Sequence, residues 1–144
     1  MNKLPNAVAS DDPRGIIYFL HIPKTGGTTF HSFISAQFEG GKVCSAHLWH
    51  QMVVLDPKIV GGCEFIWGHF YSYLHRYLQM PTRYITMLRH PLERALSHYA
   101  HVRNNAGHYF HRKALEQGTF SNYIGDPEIA PTLNSFQARS LTLH

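Results

Sequence analysis

The chain has 144 residues, 44% of them hydrophobic and 15% charged, and a formal net charge of +4. That length and balance suit one domain with a real core, exclude a disordered tail, and fall short of what two domains need. The basic excess favours anionic ligands, but no dense Lys/Arg run occurs, so no nucleic-acid partner is expected.

Residues 1–14, ending in Asp11-Asp12-Pro13, read as a flexible lead-in, and residues 15–144 as one domain. Residues 15–22 are apolar, β-branched and aromatic, which predicts a buried strand. A turn over residues 23–27 follows, and then Phe30, Phe33, Ile34 and Phe38 repeat at helical spacing before Gly40-Gly41. Residues 47–55 suit a short helix closed by Asp56-Pro57. Residues 64–67 predict a second strand ending at Gly68-His69, and residues 71–78 a helix broken by Pro81. The run YITML at 84–88 predicts a third strand. Pro91 then opens a helix with Leu92, Ala95, Leu96, Tyr99 and Val102 on one face. Helical pieces over 108–117, 119–124 and from 132 onward complete the chain.

Strands alternating with helices predict an α/β three-layer sandwich with a central parallel sheet, in which ligands sit beyond the carboxyl ends of the strands. Lys24, His69 and Arg89 each follow a predicted strand. The turn before the first helix presents backbone N–H groups and a positive helix end, an arrangement suited to phosphate or sulfate. Lys24 adds a mobile charge there, and Thr25, Thr28 and Thr29 add hydroxyls.

Two motifs, PKTGGTT at 23–29 and LRHPLERALSHY at 88–99, together resemble the sulfotransferases that use 3′-phosphoadenosine 5′-phosphosulfate (PAPS). The likeness is to the branch that sulfates carbohydrate hydroxyls, such as the heparan sulfate 2-O- and 6-O-sulfotransferases and their bacterial relatives. It implies a P-loop NTPase-like sulfotransferase fold. It also implies that Lys24, Thr25, Gly26, Gly27, Thr28 and Thr29 hold the 5′-phosphosulfate, and that Arg89 and Ser97 hold the 3′-phosphate. Within Trp67-Gly68-His69-Phe70, His69 matches the family's catalytic base, and Lys24 takes the charge growing on the bridging oxygen. The implied function is transfer of a sulfuryl group to a hydroxyl, on a carbohydrate, with 3′-phosphoadenosine 5′-phosphate as product.

None of the nine acidic residues ends a predicted apolar strand, so no metal is expected; a phosphoryl transferase needs such a carboxylate. Cys44, His47, His50 and Cys63 stand in a C-x2-H-x2-H-x12-C pattern, a spacing that chance supplies where histidine is this abundant. Asn134 to Leu141 resembles the family's NxxQxRxL stretch, which makes Gln137 and Arg139 candidate contacts or simply members of a packing helix. Relatives continue past the matched residues 16–141 with a further strand and a pocket loop. The domain is therefore expected to be incomplete at its C-terminus, with an exposed edge open to a homodimer. A nucleotide kinase or NTPase, and a non-catalytic nucleotide-binding domain, stand as alternatives. Two cysteines make no disulfide framework, and no apolar run reaches the roughly 20 residues of a membrane span. With no signal-peptide pattern at the start, the expected location is cytoplasmic.

Overall fold

In the computed structural model, which describes residues 15–142, the run IIYFL forms the central strand β1 (Ile16–Leu20). It pairs in parallel with β2 (Phe65–Gly68) on one side and β3 (Thr82–Thr86) on the other, giving the order β2-β1-β3. The predicted lead-in, residues 1–14, lies outside the described residues. Between the strands run α1 (Gly27–Ser35), α2 (Trp49–Met52), α3 (Pro57–Gly61) and α4 (Leu74–Leu78). After β3 come α5 (Pro91–Asn104), α6 (His111–Gln117), α7 (Phe120–Gly125), α8 (Ala130–Leu133) and α9 (Phe136–Thr142). The protein is thus α/β, with a three-stranded parallel sheet flanked by helices.

Strand alternation sends Ile16, Tyr18, Leu20 and Ile66 into one core, where Met52, Phe70, Leu74 and Leu78 meet them. Phe19 and Phe65 leave from the opposite face and pack against Phe30 and Phe38, ring to ring at 4.9 and 5.2 Å. A second, smaller core of Val102, Ala114, Tyr123 and Ile129 binds α5 to the helices after it. Each such fully buried large side chain stabilises the fold by roughly 1.5–3 kcal/mol. Among the described residues no helix is long and apolar enough to cross a membrane.

Four details depart from the expected pattern. The third strand lies two residues earlier than the YITML run suggested, because Gly15 and Pro81 start the β1–β3 ladder through the bond from Ile16 N to Pro81 O. Asp56-Pro57 opens a helix instead of closing one, since the Asp56 carboxylate caps Lys58 N at 2.8 Å with Pro57 at the first turn. The buried face of α5 is Arg94, His98 and Val102, while Leu92 and Leu96 are 54% and 45% exposed. Apolar periodicity missed this because Arg94 and His98 have polar partners inside. Phe33 of α1 also faces solvent.

Candidate functional site

The segment after β1 turns sharply. His21 N donates to Gly68 O at 3.0 Å, and the buried Thr25 hydroxyl donates to Ile22 O at 2.8 Å, so the loop closes on itself. Lys24 (φ 72°) and Gly26 (φ 90°) both take left-handed backbone, which costs a lysine about 1 kcal/mol and a glycine almost nothing. At Gly27 a Cβ would run into the His21 ring, so only glycine lets the helix start this close. The first turn of α1 carries no acidic residue, which leaves its positive end uncompensated.

Beyond β2, the buried Tyr18 hydroxyl donates to Gly68 O at 3.2 Å and accepts from Phe70 N at 3.1 Å. Those two bonds fix the turn that presents His69, whose own N–H donates to His47 O at 3.0 Å. The His69 Nδ1 lies 2.8 Å from His21 O. A carbonyl can only accept, so Nδ1 carries the proton and Nε2 keeps its lone pair. Burial also holds His69 below the usual imidazole range.

Arg89 sits in the loop after β3. Its N–H donates to Gln137 Oε1 at 2.9 Å, and Gln137 Nε2 donates to Arg89 O at 2.8 Å. Gln137 thus fastens the main chain of this turn, whereas the Arg139 guanidinium donates to Pro131 O. The Arg89 side chain pairs with Glu93 at 3.3 Å, an exposed i,i+4 contact weak enough for an anion to displace.

These three loops surround one cavity of about 350 Å³. Lys24 and Gly26 line it from the first loop with Gly27, Thr28 and Thr29 at the start of α1, His69 from the second, and Arg89 from the third with Ser97 of α5 behind it. Thr25 does not line it, its hydroxyl being spent within the loop, and neither do the candidate contacts Gln137 and Arg139. His21 and His101 join the wall without having been singled out from the sequence. His101 was legible, since it lies one helical turn beyond Ser97. His21 was less so, because its ring was assigned to a strand.

No acidic side chain among the described residues lines the cavity. Among the described residues no group of three or more His, Cys, Asp or Glu is placed to hold a metal ion. Of the C-x2-H-x2-H-x12-C pattern, Cys44 and Cys63 are buried free thiols, and the His47 ring instead stacks on Trp67 at 5.2 Å.

Burial also lowers the imidazoles of His21 and His98 to about 4, with neighbouring His69 adding to the first and Arg94 to the second. An unfolded chain protonates these rings near 6.5, so between those values the unfolded state binds more protons. Their contribution to stability is complete above pH 6.5 and is lost as pH falls toward 4. The thermal midpoint is expected to hold steady at and above neutrality and to drop through that window. A flat profile down to pH 4 would show that the rings charge within the fold.

No family model matches the chain, and no solved structure matches it. Among curated proteins it is similar to a protein-tyrosine sulfotransferase of Arabidopsis thaliana, 28% identical over 88 residues. The matched stretch is 60% of this chain and 17% of that protein, so the chain spans well under two thirds of the relative. A relationship to the sulfotransferases is what this similarity supports.

Proposed function

We propose that the chain forms a P-loop-type sulfotransferase domain that transfers the sulfuryl group of PAPS to an acceptor hydroxyl. The observation that carries this reading is the meeting of Lys24, His69, Arg89 and Ser97 around the cavity behind the glycine turn. The fit is chemical as well as spatial. A donor that is anionic at both ends needs cationic and N–H groups at two separated points, and this wall offers both with no carboxylate among its described residues to oppose them.

Lys24, the amides near Gly26 and Gly27, and the hydroxyls of Thr28 and Thr29 would hold the 5′ end; Arg89 and Ser97 would hold the 3′-phosphate. When bound, PAPS supplies an activated sulfuryl group. His69 Nε2 takes the proton of the acceptor hydroxyl, Nδ1 staying fixed on the His21 carbonyl. Lys24 neutralises charge at the phosphate end, and the rigid turn keeps these groups aligned, which is where most of the rate arises in transfers of this kind.

The motifs resemble those of carbohydrate sulfotransferases, which makes a sugar hydroxyl one acceptor reading. The similarity to a protein-tyrosine sulfotransferase favours a phenolic hydroxyl as the second. A nucleotide kinase is disfavoured because none of the described residues on the cavity wall is a carboxylate that could hold Mg²⁺.

Calorimetry with 3′-phosphoadenosine 5′-phosphate against ATP-Mg²⁺ tests the donor. Tighter binding of the former is expected, and a preference for ATP-Mg²⁺ overturns the proposal. In the same protein, His69→Ala should leave that binding within about twofold while turnover falls roughly 10²–10⁴-fold. Unchanged turnover would remove His69 from its role.

A further inference from the structure

The His21 ring fills a slot between two parts of the site. On one side it stacks on the His69 ring, with centroids 4.8 Å apart and planes 28° from parallel. On the other it lies so near Gly27, the first residue of α1, that any side chain there would overlap its Cδ2–Nε2 edge. Its main chain is tied to the same turn, His21 N donating to Gly68 O and His21 O accepting from His69 Nδ1. From the sulfotransferase reading of the cavity, in which His69 is the base, we infer that His21 is a positioning residue whose ring seals one face of His69 from water and so keeps Nε2 free of a proton.

The slot is tightly packed. Phe19 stacks on the His21 ring at 5.6 Å, and Trp67 tilts against it at 5.9 Å. His21 Nδ1 is itself buried with no hydrogen-bond partner among the described residues, so the rings around it pack too closely to admit solvent. A charged imidazole needs either solvent or a counter-charge, and the stack supplies neither on that face.

The charges nearby agree. Facing the two rings from other elements are His47 ahead of α2 and His31 of α1, while Lys24, Arg89 and His101 line the shared cavity, and all of these are basic. No described residue of that wall is acidic, so no counter-ion draws a proton onto His69. Burial is the chief reason that both rings lie below the usual imidazole range, with His69 adding to the effect on His21 and His47 to that on His69. The His21 carbonyl pulls the other way, since the bond from Nδ1 favours a charged ring. One residue thus sets two properties of the base. Its carbonyl fixes the tautomer, and its ring offsets the charge which that bond would otherwise invite.

The test compares the full parent chain with His21→Ala, in which the main-chain bond to His69 survives and only the ring is lost. Ring signals of His69, identified by their absence in His69→Ala, are followed by NMR against pH in protein loaded with 3′-phosphoadenosine 5′-phosphate. His69 is expected to titrate at higher pH in His21→Ala, its protonated fraction at pH 6 rising at least about twofold over the parent's. Nucleotide affinity by calorimetry should stay within about twofold, because His21 is not a donor contact. His21→Leu, which refills the slot with carbon, should return the His69 titration to the parent's. Identical titration in the parent and His21→Ala overturns the inference and leaves the donor site standing. In the parent alone, a His69 that is charged at pH 7, or that carries its neutral proton on Nε2, does the same. If the nucleotide does not bind the parent, the sulfotransferase reading fails and this inference with it.

Discussion

Lys24→Ala should lower sulfuryl transfer by about 10²–10³-fold, the loss typical when one fixed electrostatic donor is removed from a reaction centre. Lys24 lies at the tip of the turn after β1 and lines the larger cavity with the amides of Gly26 and Gly27. Alanine keeps a Cβ at the same left-handed position, so the backbone strain is unchanged and the loop has no new reason to move. The thermal midpoint should stay within a few degrees of the parent. Binding of 3′-phosphoadenosine 5′-phosphate should weaken less than turnover, because Arg89, Ser97 and the helix end still contribute. Single-turnover rates with PAPS separate the two effects. A rate within twofold of the parent would show that the ammonium plays no part in transfer.

Arg94→Ala carries the largest expected loss of stability, about 3 kcal/mol. Arg94 is 2% exposed. Its Nε donates to Pro23 O and its Nη2 to Thr132 O, both at 3.2 Å, and its guanidinium lies 4.4 Å from the centre of the Phe136 ring. Truncation leaves two carbonyls without their donor and removes the packing beneath Phe136. A drop of this size lowers the thermal midpoint of a domain this long by roughly 10 °C. Arg94→Lys should recover little, since one ammonium cannot reproduce the planar fork that spans both carbonyls. Thermal melts of the two variants settle the matter, and a midpoint within about 2 °C of the parent would contradict this account.

The site was legible in the sequence to the extent that its chemistry is local. Lys24, His69 and Arg89 each follow a short apolar run, and a parallel sheet brings such strand ends to one edge whatever lies between them. The direction of the Thr25 hydroxyl was not legible, because spacing shows that a hydroxyl is near the turn but not which way it points; its bond to Ile22 O is a matter of loop geometry. The packing face of α5 was illegible for another reason. Periodicity finds burial through apolar side chains, and here an arginine and a histidine are buried because carbonyls and the Tyr123 hydroxyl await them from later elements.

Gln137 both gives and takes a hydrogen bond on the main chain of Arg89. Hydrolysis of that amide to glutamate would swap its N–H donor for a second oxygen facing a carbonyl, turning attraction into repulsion. Chemical ageing at one side chain outside the cavity would thereby slacken the arginine turn while leaving every group on its wall intact.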